Sequence, residues 1–572
     1  MEFVDLIRSQ KIPRRFVQPN FHVKELERVK DAYEALLLRD LKDVHVLRGW
    51  IQDRGELETV LEEQAAIVNI VYSCDVQDPQ KEADYLYLIQ QLQPLKMKYE
   101  FLLNQKYVNC PHRSELDRST YAMYDLLISN QIDLFRESNI ALKTQEAEVE
   151  DRYSKLTGSL MVSFQGKVLT VPQLQPFMQD VDRNLRYQAF VVGSEAYLAK
   201  ERELTQIFNE LIPLRRKVAQ NAGFESYTDY IFREKNRFDY TPKTCFEFHT
   251  SIEAEVVPRC VALRQKKAKA LGLESIKPWD TTVDPKGRAP LKPFQTTAQL
   301  IEGCHRICQG LHPRMAAVFS KLMEYRTLDL ESRKGKRPGG YQTDLPESKL
   351  QFIFMNAVGV QEDLVTLLHE TGHAIHSAQA SAQPLTLYRG YPIEMAEVAS
   401  MAMELLGMQG YREFYSEEDV KRAQEEQMAR VLTVLPWVAT VDAFQHWIYA
   451  HPEHSESERK QTWVDIYSRF QPGLNWEDHP AYLEFKWQRQ QHIYLFPFYY
   501  IEYGLAQIGA LQVWKNVMEQ GRAGLEQFLN GLRIGYSKSL PEQYAGVGIP
   551  FCFDLQTIRT VMSFVDNYLG QD

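Results

Sequence analysis

The sequence predicts a mainly α-helical protein of two helical lobes, with a small β-sheet just upstream of a histidine-bearing helix. Three observations carry this. Long stretches place apolar residues at three- and four-residue steps. β-forming runs are few and short. The 572 residues also exceed what one simple core supports, at ~100–200 residues per domain. Hydrophobic residues at 44% and charged residues at 25% are ordinary for a packed chain and exclude a disordered or fibrous one.

From about Lys24 to Lys106, Leu26, Val29, Tyr33, Leu36 and Leu37, then Leu57, Val60, Leu61 and Ala65, recur at helical steps with charges between them. An antiparallel helical hairpin serving as scaffold is expected there. Helical pattern follows over Ser119 to Leu156 and again over Asp180 to Gly223. Between them, Gly158 to Phe164 and Gly166 to Pro172 read as two short strands around a turn. Pro278, Pro285, Gly287 and Pro290 make Ile276 to Lys292 a loop-rich block. The run Arg333 to Tyr341, which contains Pro338, Gly339 and Gly340, reads as a glycine turn leading to a strand at Leu350 to Met355. After Gln361 the pattern is helical, apart from loops expected near Pro384, Pro452 to Pro480 and Pro541 to Pro550. The chain is accordingly divided at 1–115, 116–190 and 191–572: a helical hairpin region, a helical segment with a β-hairpin, and the region that carries the chemistry.

The formal net charge is −10 and no long run of Lys or Arg occurs, so the basic stripe of a nucleic-acid binder is missing. The N-terminal Met1-Glu2-Phe3-Val4-Asp5 places acids where a secretory leader needs a basic start. The uncharged stretch Val431 to Val441 falls short of the ~18 residues of a membrane span and is interrupted by Pro436. Seven scattered cysteines do not form a disulfide framework and fit a reducing compartment. The one tight pair, Cys304 and Cys308, reads as packing on a helix rather than a zinc site. A soluble, cytoplasmic protein with no membrane or nucleic-acid partner is expected.

Residues 369–373 read His-Glu-Thr-Gly-His. Residues four apart stand on one helix face, so both imidazoles can reach one cation. Glu370, one step round, is placed to take a proton from a water without being a ligand. With 14 histidines in the chain, a chance match is expected about once in thirty such sequences. Two histidines on a solvated face is therefore the weaker explanation. Leu364, Val365, Leu367 and Leu368 supply a core-facing side, and Gly372, a poor helix former, suggests close packing at its turn. A catalytic zinc usually takes a third protein ligand. Glu394, Glu397 and Glu404 on the helix expected over Tyr391 to Leu406 are the candidates, and pattern alone leaves Glu394 and Glu397 equal.

The run His369-Glu-Thr-Gly-His-Ala-Ile-His376, with Ala396-Glu-Val-Ala-Ser400 downstream, resembles the thimet oligopeptidase and oligoendopeptidase F group of zinc peptidases. The resemblance implies Glu397 as third ligand and Glu394 as an acid orienting a ligand imidazole. It covers about the last two-thirds of the chain. Thr371 departs from it, standing where a bulky aromatic is common.

A second anchor is His492-Ile-Tyr-Leu-Phe-Pro-Phe-Tyr-Tyr-Ile-Glu-Tyr503, similar to a segment of the oligoendopeptidase F branch. The resemblance implies that His492 and tyrosines bind the developing oxyanion. Tyr499, Tyr500 and Tyr503 are all available, and Tyr500 with Tyr503 is preferred because their spacing presents both hydroxyls to one side of a helix. In the same family the turn at Gly339, Gly340 and Tyr341 lines the cleft and pairs with extended substrate; a plain tight turn explains those residues equally well. The resemblance thus implies two lobes flanking a deep cleft, one zinc ion per chain, and hydrolysis of internal bonds in short oligopeptides. The rival readings are a zinc hydrolase of a non-peptide amide and a non-catalytic peptide-binding scaffold.

Overall fold

The computed structural model describes residues 2–10, 12–333, 335–337 and 339–570. The molecule is mainly helical, with two small sheets. It divides into two compact units, each assembled from three chain segments. Unit 1 comprises Met1–Asp133, Leu291–Ala423 and Gly509–Phe551; unit 2 comprises Leu134–Pro290, Gln424–Ile508 and Cys552–Asp572.

In unit 1 the expected N-terminal helices form over Leu26–Leu38, Val44–Cys74, Pro79–Tyr87 and Gln93–Val108. Asp43 caps the 31-residue helix Val44–Cys74 by accepting from the Val46 N–H. Val29, Tyr33, Leu36, Leu57, Val60 and Leu61 are buried in one apolar cluster, as their spacing predicts. Tyr388 ties a later segment to it: its hydroxyl accepts from the Tyr124 N–H at 2.9 Å and donates to the Thr120 carbonyl at 2.6 Å.

Unit 2 contains the expected hairpin, β1 (Met161–Phe164) paired antiparallel with β2 (Lys167–Thr170). Gln165 and Gly166 both take positive φ, the two-residue turn that matches strand twist. Unit 1 holds the second sheet: β3 (Leu328–Glu331), β4 (Tyr341–Leu345) and β5 (Leu350–Ala357), in the order β3-β5-β4. β5 is central, parallel to β3 and antiparallel to β4, and its near-continuous burial suits the apolar run Phe352 to Met355 at its middle. The strand expected over Leu350 to Met355 is therefore the sheet's middle.

Two sequence expectations fail locally. Pro436 does not interrupt its segment: a single helix runs over Glu417–Ala450, and the Leu432 carbonyl, which loses its N–H partner at position 436, accepts from the Cys260 thiol at 3.2 Å. Helix Glu456–Phe470 occupies part of the loop expected over Pro452 to Pro480, started by a capping box between Ser455 and Glu458. Cys304 and Cys308 are fully buried side by side in helix Thr297–Leu311, and burial pushes the Cys308 thiol up to about 12, which is packing chemistry. No disulfide links any of the seven cysteines. Among the described residues, no helix is long and apolar enough to cross a membrane.

Candidate metal centre

β5 turns directly into helix Gln361–Ala380, which carries the His-Glu-Thr-Gly-His run. The turn is held by Asp363, whose Oδ2 accepts from the Val358, Gly359 and Val360 N–H groups at 2.8–2.9 Å. Three otherwise unpartnered donors at a helix N-terminus are thereby satisfied by one favourably placed negative charge. Leu364, Leu367 and Leu368 are fully buried, as expected of the core-facing side.

The opposing helix is Ile393–Gly407. A Cβ built on Gly372 would lie 2.5 Å from Ser400 Cα and 2.7 Å from the Ala399 carbonyl oxygen, so the two backbones meet closely at this point. That approach brings the ligand candidates together. His369 Nε2 is 3.4 Å and His373 Nε2 3.9 Å from Glu397 Oε2, and the three donors all fall within 4.8 Å of one another. Around an ion with bonds of ~2.0–2.2 Å, donors of a tetrahedron stand about 3.3–3.6 Å apart. Two nitrogens and one carboxylate oxygen therefore suit a zinc-class cation with one position left open.

The ligand candidates are oriented from behind. His369 Nδ1 meets Glu404 Oε1 at 2.7 Å, and the His373 ring hydrogen-bonds the Ala396 backbone. The Ser400 hydroxyl donates to Glu397 Oε2 at 3.1 Å. Glu404 thus orients His369, a role the resemblance does not assign to it. Glu394 is buried on the same helix and acts electrostatically on Tyr544. Thr371 is fully buried and donates to the Leu367 carbonyl at 2.7 Å, its side chain committed to its own helix. His376, the third histidine of the run, stacks on Tyr391 at 3.6 Å and is held down to about 3 by burial.

Protonation follows from these surroundings. Burial opposes charge on His369, but the bond to Glu404 and the carboxylates of Glu397 and Glu370 prevail and raise it to about 10. Burial and the neighbouring His369 keep His373 well below its ordinary value, leaving its ring neutral. A cation held by His369 would have to displace its proton, and raising the pH would remove that competitor. Apparent metal affinity should climb by up to about tenfold per pH unit from pH 6 to 9; titrations with a buffered metal indicator would measure it, and a flat profile would refute it. Removing the orienting acid with Glu404→Ala should weaken metal binding about 10–100-fold while leaving the fold intact, measured by the same titration and by circular dichroism.

Glu370 is 7% exposed and stands beside the triad. Burial raises its pKa to about 7, assisted by Glu397 and opposed by His369 and a hydrogen bond from the Gln342 backbone. Gln342 lies on β4, the edge strand that follows the glycine turn. Gly339 takes φ +98°, and its carbonyl accepts from Asn356 Nδ2 at 2.9 Å. The Tyr341 ring stacks on Phe354 at 4.9 Å, so its side chain serves packing and only its backbone faces the strand edge. Pro338 lies outside the described residues.

His492, Tyr500 and Tyr503 come together in unit 2. The His492 ring centre is 4.9 Å from that of Tyr500 and 6.0 Å from that of Tyr503. Tyr499 is as near, at 5.9 Å, with the Lys235 ammonium over its ring. Gln490 Nε2 meets His492 Nδ1 at 2.7 Å, which fixes the tautomer that carries its proton on Nε2. Burial and Lys235 lower His492 to about 4, so the ring is a neutral donor near pH 7. Trp437 Nε1 donates to the Tyr500 hydroxyl at 3.1 Å and so aims it. Sequence reasoning offered Glu404 only as a candidate ligand and missed the roles of Ser400, Gln490 and Trp437.

The chain matches the model of Peptidase family M3 over residues 177–554 and that of the Peptidase M3 N-terminal domain over residues 16–135. It is 26% identical over 240 residues to the chromosomal oligoendopeptidase F of Lactococcus lactis subsp. cremoris, covering 39% of this chain and 37% of that protein. It is 24% identical over 239 residues to oligopeptidase PepF of Bacillus subtilis (strain 168), covering 40% and 35%. These alignments span well under half the length of the curated relatives. A solved structure of PZ peptidase A with an inhibitor superposes with a TM-score of 0.89 at 26% identity, covering 99% of both chains. With both models matched and the fold shared end to end, the chain belongs to peptidase family M3.

Proposed function

We propose that this protein is a zinc-dependent endopeptidase that hydrolyses internal bonds of short oligopeptides. The observation that carries the reading is the convergence of His369, His373 and Glu397 with Glu370 beside them. His369, His373 and Glu397 would hold one zinc ion, which when bound polarises the scissile carbonyl and acidifies a water. Glu370 takes the proton of the attacking water and passes it to the amine nitrogen of the leaving fragment. His492 donates from Nε2 to the carbonyl oxygen as charge develops there, with Tyr500 and Tyr503 as further donors. Each well-placed donor contributes about 3 kcal/mol to the transition state. What supports this role is the neutral His492 ring, its fixed tautomer and the tyrosines gathered around it.

Substrate backbone is assigned to the β4 edge around Gly339, Gly340 and Tyr341. A strand edge recognises extended peptide through main-chain hydrogen bonds without selecting a sequence. The curated relatives named oligoendopeptidase F and oligopeptidase support oligopeptides as the substrate class. Cysteines without disulfides support a reducing, cytoplasmic setting.

The test is hydrolysis of a pool of internally quenched peptides of graded length, before and after chelation, with metal quantified. Cleavage of short peptides should stop with chelator and return with zinc. Bound zinc without peptide cleavage would instead favour a non-peptide amide as substrate.

A further inference from the structure

Unit 2 contains a second convergence of metal-ligating side chains that the proposed chemistry does not use. Helix Pro242–Glu255 carries Cys245 and His249, and helix Glu417–Ala450 carries Asp442 and His446. Each pair is four residues apart, so each helix presents two donors from one face. The facing pairs meet in the interior: Cys245 and Asp442 are fully buried, and His249 and His446 are 4% and 6% exposed. A ligand atom from each of Cys245, Asp442 and His446 lies within 4.8 Å of the other two. The Asp442 to His446 separation, Oδ2 to Nε2, is 3.4 Å, the same as between His369 and Glu397 in unit 1. His249 Nε2 meets Asp442 Oδ2 at 2.9 Å and holds the carboxylate in place.

Hydrogen bonding within the protein leaves this cluster incomplete. Asp442 Oδ1 is buried with no hydrogen-bond partner, and His446 Nε2 meets Asp442 Oδ2 only at a long 3.4 Å, short of hydrogen-bond geometry. A buried carboxylate oxygen without a partner costs about 1–3 kcal/mol, so the cluster has room for a further ligand. Aromatic rings flank the cluster: those of Phe246 and Phe498 each lie 4.9 Å from His446, and Phe470 lies 6.1 Å from His249.

We infer that Cys245, Asp442 and His446 form a second binding site for a zinc-class divalent cation, with His249 positioning Asp442 and the fourth position left to a water. The donor set selects the ion: a thiolate, an imidazole and a carboxylate suit zinc, whereas calcium and magnesium take oxygen alone. Charge fits as well. Cys245 gives up its proton on binding, and thiolate plus carboxylate then cancel the dication, leaving a neutral complex that an apolar interior tolerates. The ion pins the two helices together and takes no part in hydrolysis. This site is independent of the reading of His369, His373 and Glu397.

The test is metal stoichiometry together with cobalt substitution of the full chain. The unit 1 donors are nitrogen and oxygen only, so a sulfur-to-cobalt charge-transfer band in the near ultraviolet reports on a cysteine-ligated site, and its loss in Cys245→Ser assigns it to Cys245. Wild type should bind two metal ions per chain and show the band. The double variant His369→Ala/His373→Ala should keep one ion and the band. Cys245→Ser should lose the band and one ion and still cleave peptides. A chain that binds two cobalt ions without the band, or a single ion lost entirely in the double variant, would overturn the proposal. Should Cys245→Ser misfold, Cys245→Ala serves in its place, and absence of the band from the wild-type chain overturns the proposal without either variant.

Discussion

Glu370→Gln should lower kcat for peptide hydrolysis by about 10²–10⁴-fold, equivalent to ~3–5 kcal/mol of transition-state free energy, while leaving bound metal unchanged. The substitution keeps the shape of the side chain and its place beside the triad. It removes the carboxylate's capacity to take a proton and hand it on. Metal content should not move, because the converging donors belong to His369, His373 and Glu397 and not to Glu370. KM should change little, since the missing interaction arises only as the proton moves. Steady-state kinetics on a quenched peptide with parallel metal analysis separates the cases. Turnover within a few-fold of wild type would remove Glu370 from the chemistry, and a matching loss of metal would make it a ligand instead.

The legibility of this site in the sequence follows from what periodicity can and cannot carry. Residues on one helix are related by fixed angles, so His369, Glu370 and His373 could be placed on a face before any fold was known. The apolar Leu364, Leu367 and Leu368 fixed which side of that helix is buried, and Gly372 signalled a close neighbour. Glu404 carried a signal of the same kind that was not used. Seven residues beyond Glu397 is close to two full turns, about 20° off the same face, whereas Glu394 is about 60° off it. The helical angle thus favours Glu404 as the acid behind the ligands, and its bond to His369 follows.

What could not be read is whatever depends on pairing between distant segments. His249 and Asp442 are 193 residues apart, and nothing local to either indicates that their helices face each other. The compact units have the same origin: each draws on three segments, and a linear reading can cut a chain only into continuous pieces. The helix Glu456–Phe470 is a different kind of miss. Its capping box at Ser455 and Glu458 is a local signal, outweighed in the reading by prolines at 452 and 480 that only flank it.

Gly372→Ala should destabilise the protein by about 1–3 kcal/mol or more and weaken metal binding together, an unusual outcome for adding one methyl group to a helix. On an open helical position the same change stabilises by up to about 1 kcal/mol, through propensity and a less flexible unfolded chain. Gly49, within Val44–Cys74, is such a position, since a Cβ there meets nothing within 4 Å. At Gly372 the new carbon would meet Ser400 Cα at 2.5 Å and the Ala399 carbonyl oxygen at 2.7 Å. Both are backbone atoms, so no rotamer change relieves the overlap and the two helices must separate. Glu397 lies one turn before Ser400 on the helix that is pushed away, and separation carries its carboxylate from His369 and His373. Chemical denaturation with metal chelated measures the packing cost alone, and metal titration of the folded variant measures the displacement. Gly49→Ala should be neutral or stabilising in the first assay and silent in the second. If Gly372→Ala behaved like Gly49→Ala in both, the close approach of the two helices could not be what sets the ligand spacing.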